Sequence, residues 1–214
     1  MEVIDMIKTL REFWQEVAEI CYDKDASADK LKSRFEATTS GDYELFYKMS
    51  YYQNDFENNK DYPNELALKY MDIQVTFAEM WEHIEEVVKA LNALGVREGE
   101  IITIAMPNTP EFVYLAYAIN RVGAVMNIIH PLPGKEELLG YLEEAQSRYF
   151  FMFDGTYAII KDDLKNTSVE KAIVVSPAYS LAPIKRKLYQ LAKFPKLDKT
   201  MCIDWKAFLK NGVN

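Results

Sequence analysis

Two histidines, His83 and His130, are the side chains best suited to move protons near neutral pH. His130 directly follows an apolar stretch, and the local sequence offers it no Ser or Cys nucleophile and no carboxylate partner. A strand-end histidine that hydrogen-bonds the backbone is therefore favoured over a catalytic base, which remains the alternative. His83 is expected on the solvated flank of a helix. No residue is predicted to be catalytic.

The cysteines and the one Ser/Thr/Gly cluster offer little further chemistry. Cys21 and Cys202 are far apart and belong to no Cys/His grouping that could hold zinc, so free thiols and no metal site are expected. The cluster at residues 38–41, Thr-Thr-Ser-Gly, superficially resembles a phosphate-binding loop. It lacks a following Lys and a preceding apolar strand, so a turn that ends a helix is favoured.

The elements that position these residues follow from hydrophobic patterning. Short apolar runs predict strands at residues 66–71, 101–106, 124–129, 149–153, 171–175 and 201–204. Helices are predicted from Thr76 to Gly95, from Thr109 to Gly123, and over residues 136–145, 157–164 and 205–209. This alternation predicts the α/β class, with a mostly parallel sheet covered by helices on both faces.

Two helix starts carry strong local signals. Thr76 and Glu79 fit a capping box, and Gly95 supplies the left-handed residue that ends that helix. Thr109 is a capping residue, and Pro110 occupies the first turn, where no N–H is needed. Met80, Ile84, Val87, Val88, Leu91 and Leu94 form the expected apolar face of the first of these helices.

The first sixty residues contain only helical patterns, including an amphipathic stripe over residues 7–21 and a helix over residues 43–56. We therefore divide the chain into an N-terminal helical extension, residues 1–60, and an α/β subdomain, residues 61–214. The stripe is expected to pack on the chain's own domain. A contact with further sequence or a second subunit is the alternative.

The net charge of −8 and the pI near 5.0 argue against nucleic-acid binding, which needs clustered Lys and Arg. No signal peptide and no membrane-spanning run is visible, so a cytoplasmic protein is expected. One basic stretch interrupts the acidic chain. A solvated surface helix is favoured there, with peripheral contact to an anionic membrane or an acidic partner as the alternative; its cations are Lys185, Arg186, Lys187, Lys193 and Lys196.

An ordered series of short motifs runs from residue 62 to residue 154, and a looser series from 171 to 212. It comprises Pro63 with Ala67-Leu68, Thr76-Phe77, Gly95-Val96 with Gly99, Pro107-Asn108 with Glu111, Gly123-Ala124-Val125, and Leu138, Tyr141 and Leu142 before a strand that ends at Asp154. In this order the motifs resemble the N-terminal part of AMP-forming acyl-CoA synthetases, which are adenylate-forming ligases. The stretch from Gly123 to Leu132 is similar to the branch that uses fatty or related carboxylic acids, although Ile128 stands where many members carry Pro.

The resemblance implies an enzyme that joins a carboxylate to ATP, releases pyrophosphate, and then transfers the acyl group to coenzyme A. ATP, Mg²⁺ and coenzyme A are thus implied for the full-length enzyme. In that family a Ser/Thr/Gly-rich phosphate loop with a Lys, a downstream acidic motif and a C-terminal lid offset the phosphate charge. None of these is found in this sequence, so the 214 residues alone are expected to be inactive and to bind no cofactor.

Loops at the carboxyl ends of parallel strands are where such sheets bind ligands. The resemblance places the loop after the Gly-Ala-Val strand near the acyl and coenzyme A side. The ligand-side candidates are therefore Asn127, His130, Pro131 and Gly134, with Pro107 and Asn108 at the preceding strand end. For Pro107-Asn108 a plain turn is the favoured alternative.

Two hypotheses about the whole protein remain open. The first is an N-terminal segment of an acyl-CoA synthetase whose partner is the remainder of the parent chain. The second is a standalone, non-catalytic binding or scaffold module that reuses the fold. In either case an uncovered sheet edge predicts self-association of the isolated chain.

Overall fold

The computed structural model describes residues 51–71, 73–181, 187, 189 and 195–212. The predicted stripe over residues 7–21, the predicted turn at 38–41 and most of the basic stretch therefore lie outside the described residues. Residues 50–214 belong to one compact unit. The proposed division of the chain between residues 60 and 61 stays a prediction.

The helices are α1 (Tyr51–Asn59), α2 (Phe77–Leu94), α3 (Pro110–Arg121), α4 (Lys135–Ala145), α5 (Asp154–Ile160) and α6 (Trp205–Asn211). The strands are β1 (Leu66–Tyr70), β2 (Ile73–Thr76), β3 (Ile101–Ala105), β4 (Val125–Ile128), β5 (Tyr149–Phe153), β6 (Lys171–Val175) and β7 (Cys202–Asp204). A 3₁₀ turn spans Leu164–Asn166.

A five-stranded sheet with the order β4-β3-β5-β6-β7 forms the centre of the unit. Every neighbouring pair in it is parallel, which confirms the predicted α/β class. The chain passes outward from β3 to β4 and then crosses back to β5 on the other side of β3. This crossing makes β3 and β5 interior strands and leaves β4 at an edge.

Alternation along β5 divides the core into two layers. Tyr149 and Phe151 face the layer built with α2, α3 and α6, whereas Phe150 and Met152 face the layer built with α4 and α5. All four side chains are buried. A central strand covered on both faces must be apolar at every position, because its successive side chains point to opposite faces.

The capping box that begins α2 is formed as predicted. The Glu79 N–H donates to the Thr76 hydroxyl at 3.3 Å, and the Thr76 N–H donates to the Glu79 carboxylate at 2.8 Å. Gly95 ends the helix with φ of 88°. The predicted apolar face omitted Trp81, which is buried among aromatic rings of α1, α2 and α3, namely Tyr52, Phe56, Phe77 and Tyr117.

Three features differ from the sequence-based expectation. β1 pairs antiparallel with the unpredicted strand β2 in a separate two-stranded sheet. Helix α5 begins at Asp154, three residues earlier than predicted, because β5 passes into it directly. Helices cover both faces of the sheet, as predicted, but β4 is less covered than the other strands, and its Val125, Met126 and Ile128 are exposed. The strand order explains this exposure, because β4 has a neighbour on one side only.

Within the described ranges, no helix has the length and apolar character needed to cross a bilayer.

Candidate functional site

The loops that follow β3 and β4 lie side by side, because these two parallel strands are neighbours. Pro107 and Asn108 follow β3, and His130 and Pro131 follow β4. Asn108 and His130 are exposed, whereas the two prolines are half-buried. The structure thus brings four of the six ligand-side candidates to one end of one strand pair, at the carboxyl edge, where α/β sheets bind ligands.

The His130 ring is held by its own loop. Its Nδ1 accepts a hydrogen bond from the Leu132 N–H at 3.1 Å, which is the backbone contact that the sequence favoured. In the neutral ring the proton is then on Nε2. No carboxylate contacts His130 among the described residues, so this part of the structure offers it no partner of the kind that orients a general base.

Pro131 and Gly134 tie this loop to the helices beneath it. The Pro131 carbonyl accepts a short hydrogen bond from the Thr156 hydroxyl, which also donates to the Ala105 carbonyl at 3.3 Å. Gly134 begins α4, and its N–H donates to the Glu137 carboxylate at 3.3 Å. These contacts set the position of the loop after β4 relative to the end of β3.

Asn127 lies inside β4 rather than in the loop. Its amide nitrogen donates to the Thr103 hydroxyl at 3.1 Å, and Thr103 shares a 2.6 Å hydrogen bond with Ser147. Thr103 and Ser147 are fully buried. The side chain of Asn127 is therefore held against the α4 side of the sheet, below the carboxyl edge.

An open groove of about 610 Å³ runs along β4 and α4. It joins Asn127 to His130, and its volume falls within the range of small-molecule sites. Polar and apolar surface line it in nearly equal measure, and Glu144 belongs to the lining. The lining residues are Ile101, Val125, Met126, Asn127, Ile128, Ile129, His130, Tyr141, Glu144 and Ala145.

A second polar group lies at the ends of β5 and β6. The Asp154 carboxylate is buried and accepts hydrogen bonds from the hydroxyls of Ser176 and Tyr189, each at 3.3 Å. Burial raises the pKa of Asp154 above its usual value, and the two hydrogen bonds oppose that rise. Burial, assisted by the Asp154 charge, raises the pKa of Tyr189 to about 12.

Glu111, in the first turn of α3, is a second buried carboxylate at this edge. Its Oε1 accepts a 2.6 Å hydrogen bond from Ser180, and its Oε2 has no hydrogen-bond partner within the described part of the chain. Tyr179 lies nearby, and burial followed by the charges of Asp204, Glu111 and Asp154 raises its pKa. The Lys206 ammonium stands 5.5 Å from the centre of the Tyr179 ring.

The sequence did not predict that the carboxylates of Asp154 and Glu111 lie at the same edge of the sheet with their serine partners. Its signal was present, because Asp154 and Ser176 each follow directly on a buried apolar strand. Only the strand order shows that β5 and β6 are neighbours and that the two residues therefore meet. The Cys202 thiol is a different case: burial raises its pKa to about 11, so it is not a reactive thiolate at neutral pH.

The raised pKa of Asp154 predicts a specific pH dependence of stability. The folded protein binds the proton of the Asp154 carboxyl group more tightly than the unfolded chain does. The contribution of this group to the free energy of unfolding is therefore complete below the unfolded-state pKa of about 3.9, and it is lost as the pH rises through the higher folded-state pKa. We expect the free energy of unfolding of the wild type minus that of Asp154→Asn to fall as the pH rises from about 4 to about 7. Urea denaturation of both proteins across this pH range measures the difference in the free energy of unfolding. A difference that is constant or grows with pH would contradict the assignment.

The side chains gathered at the carboxyl edge do not fit a nucleoside triphosphate. Glu111, Asp154 and Asp204 are carboxylates, which repel phosphate groups, and binding a triphosphate requires cations and a backbone cradle to offset its charge. Across the described ranges, no group of three or more His, Cys, Asp or Glu residues is arranged to hold a metal ion. No step of ATP chemistry is therefore assigned to these residues.

Comparison with known proteins agrees with the fold. "Probable 4-coumarate--CoA ligase 3" of Dictyostelium discoideum is 31% identical over 147 residues, which are 62% of this chain and 27% of that protein. "Acetyl-coenzyme A synthetase" of Bartonella bacilliformis is 29% identical over 123 residues, or 55% of this chain and 19% of that protein. The chain spans about a fifth of the length of the curated relatives it matches, 20% in the case of "Probable 4-coumarate--CoA ligase 1".

Solved structures show the same architecture. The crystal structure of coronafacic acid ligase from Pectobacterium brasiliense superposes with a TM-score of 0.60 over 76% of this chain and 29% of that one, at 17% identity. A benzoate CoA ligase from Burkholderia xenovorans gives a TM-score of 0.57 over 69% of this chain, at 20% identity. The sequence profile of the family described as "AMP-binding enzyme" matches residues 56–203. Because that match covers most of the described sheet and its helices, this chain belongs to the AMP-binding enzyme family.

Proposed function

We propose that this chain is the N-terminal α/β segment of an ATP-dependent acyl-CoA synthetase. Such an enzyme converts a carboxylate and ATP to an acyl-adenylate and pyrophosphate, and then forms the thioester with coenzyme A. The observation that carries this proposal is the family match over residues 56–203, which coincides with the parallel sheet. The activity belongs to the parent protein and requires residues beyond those of this chain.

The proposed role of the segment is that of a scaffold. Adenylation brings an anionic carboxylate to a triphosphate, so the groups that offset this charge must be cationic or backbone donors. The buried polar side chains at the ends of β3, β5 and β6 instead include carboxylates bonded to hydroxyls, Glu111 with Ser180 and Asp154 with Ser176. ATP, Mg²⁺ and coenzyme A are accordingly assigned to the whole enzyme, and no catalytic residue is assigned here.

We assign a fatty or related carboxylic acid as the substrate class and the cytoplasm as the location. The ligand-side loops would border the acyl and coenzyme A side through His130, Pro131, Gly134, Pro107 and Asn108, with Asn127 in the adjoining strand. The names of the relatives include a short acid, acetate, and an aromatic one, 4-coumarate. A test of substrate class must therefore include short, aromatic and long-chain acids.

Carboxylate-dependent ATP–pyrophosphate exchange tests the proposal. The purified 214-residue chain is expected to show no exchange above the enzyme-free blank with acetate, 4-coumarate, benzoate, octanoate or palmitate. If the reading frame continues past Asn214, its complete product is expected to catalyse ATP–pyrophosphate exchange with at least one of these acids. The rate should exceed that of the enzyme-free blank at least about a thousandfold, since positioning and charge stabilisation supply most of this catalysis. Exchange by the 214 residues alone would contradict the scaffold role.

The alternative function is a standalone binding or scaffold module that reuses the fold. It is favoured by the groove along β4, which offers mixed polar and apolar surface and requires no catalytic residue. A stop codon after Asn214, together with saturable binding of coenzyme A or an acid to the chain without exchange, would select this alternative. Isothermal titration with each ligand measures the binding.

A further inference from the structure

The edge strand β4 has one side of its backbone open to pairing. The N–H groups of Val125 and Ile129 donate to carbonyls in and next to β3, each at 2.9 Å. By the alternation of a β-strand, the N–H and C=O groups of Met126 and Ile128 point the opposite way, out of the sheet. The side chains of Met126 and Ile128 are exposed. Two backbone donors and two acceptors are thus available to a further strand.

The groove of about 610 Å³ lies beside this edge, between β4 and α4. Asn127 bonds to Thr103 on the α4 side of the sheet, and Ile129 packs in the layer built with α4 and α5. Met126 and Ile128 alternate with these residues, so their side chains project from the other face. A strand added to β4 would therefore place every second side chain at the groove and the others beside Met126 and Ile128.

The wall of the groove that α4 forms is acidic. Glu137, Tyr141 and Glu144 follow one another at steps of four and three residues, so they share one face of the helix. Tyr141 and Glu144 line the groove, and the Tyr141 hydroxyl donates to the Glu137 carboxylate at 2.6 Å. Both glutamates are exposed, and neither forms an ion pair within the described part of the chain. Two carboxylates thus stand beside the open strand edge.

Among the described residues, no Lys or Arg lines the groove to offset these charges. Lys135, the only basic residue of α4, pairs with Asp163 at 2.6 Å, and Glu136 adds a further acid to the first turn. His130 lines the groove but accepts a hydrogen bond through Nδ1, as a neutral ring does. Pairing two copies of this edge would bring acid toward acid. Electrostatic complementarity therefore favours a cationic partner.

We propose that β4 and the groove bind an extended cationic segment of another polypeptide, in which Lys or Arg alternates with apolar residues. The segment adds a sixth strand to the sheet by bonding to the outward backbone groups of Met126 and Ile128. Its cationic side chains face the groove and the carboxylates of Glu137 and Glu144, and its apolar side chains cover Met126 and Ile128. This binding needs no step of ATP chemistry, so it does not depend on the proposed function.

Fluorescence anisotropy with a labelled, end-blocked peptide of seven alternating Lys and Val residues tests the proposal. At about 150 mM salt, which screens exposed charges more than about 8 Å apart, we expect saturable binding to the 214-residue chain. The expected dissociation constant is about 10 to 300 µM, because the interface is small. The same peptide with Glu in place of Lys should not bind. Equal binding of the two peptides would contradict the charge preference.

Two N-methylated peptides test the backbone pairing. One is methylated at the Val nitrogens and the other at the Lys nitrogens, so charge and side chains stay the same. Alternate N–H groups of a strand point to opposite sides, so only one of the two sets can donate to β4. One methylated peptide should therefore bind about tenfold more weakly than the other. Equal affinity of the two would mean that the peptide does not pair with the strand edge.

Variants of the chain locate the binding surface. Glu144→Gln should weaken peptide binding about two- to fivefold, the range of an exposed ion pair. Glu82→Gln removes the same charge from an exposed position of α2, in the other layer, and should leave binding unchanged. Ile128→Lys should weaken it about tenfold. Its matched control is Leu66→Lys, because Leu66 is a strand residue exposed at 49%, against 55% for Ile128, but lies in the other sheet.

Three results would overturn the proposal. The first is the absence of saturable binding up to about 1 mM peptide, well above the expected range. The second is equal weakening by the two variants of either pair. The third is a different occupant of the edge: a dimer of the chain that the peptide dissociates in sedimentation velocity, or a longer product of the reading frame that does not bind the peptide because its own chain covers β4.

Discussion

Phe151→Ala is expected to lower the free energy of unfolding by about 3 to 5 kcal/mol, because it opens a cavity in the larger core layer. Phe151 is fully buried at the middle of β5, paired with Ile104 on one side and Ile173 on the other. Its ring packs edge-on against Phe208 at 5.3 Å and Trp205 at 6.5 Å between centroids. Those rings belong to α6, so the substitution also loosens the last described helix.

Phe153→Ala is the matched control for this loss. It removes the same atoms from the same strand, but Phe153 is only half-buried. We expect it to cost clearly less than Phe151→Ala, because neighbouring groups and water can fill a partly open site. Denaturant unfolding followed by tryptophan fluorescence measures both. Equal losses for the two variants would mean that Phe151 does not occupy the core position assigned to it.

Gly212→Ala is expected to lower the free energy of unfolding by about 1 to 3 kcal/mol through overpacking. A Cβ at this position would stand 2.5 Å from the Ala90 nitrogen and 2.8 Å from the Lys89 carbonyl carbon, which are backbone atoms of α2. Backbone in the middle of a buried helix cannot rotate away as a side chain can. Gly212 has φ of −80°, a conformation open to alanine, so the expected loss comes from contact rather than from dihedral strain.

Gly140→Ala supplies a control of the opposite sign. Gly140 lies inside α4, is exposed, and has no heavy atom within 4 Å of an added Cβ. Alanine there should raise the free energy of unfolding by about 0.5 to 1 kcal/mol, because glycine is a poor helix residue. Thermal unfolding of both variants gives the comparison. Stabilisation by Gly212→Ala as well would show that the end of α6 does not approach α2.

Local signals predicted the beginnings of α2 and α3 and the end of α2. The Thr76–Glu79 box, the left-handed Gly95 and the Thr109-Pro110 start all involve residues within four positions of one another, so their geometry depends little on the rest of the chain. The strands of the main sheet were predicted for a related reason. Continuous apolar runs bounded by Gly, Pro or charged residues are typical of strands covered on both faces, although β4, predicted in the same way, is exposed at three positions.

The candidate site was predicted less completely. The loop residues His130 and Pro131 could be named because they follow an apolar run, and the hydrogen bond between His130 and the backbone was expected. The carboxylate group was not predicted, because Glu111 and Ser180 are 69 positions apart and meet only through the strand order. Asn127 could not be placed either, since its partner Thr103 belongs to the neighbouring strand.

The sequence by itself determined the α/β class, the caps, the buried strands and the family resemblance, because periodicity and short-range hydrogen bonds are local properties. Only the tertiary structure decided that β4 lies at an exposed edge, that Asp154 and Ser176 share a hydrogen bond, and that Gly212 lies against the α2 backbone. Each of these depends on which strands and helices become neighbours. That choice is made by packing distant segments together, and no spacing within the chain encodes it directly.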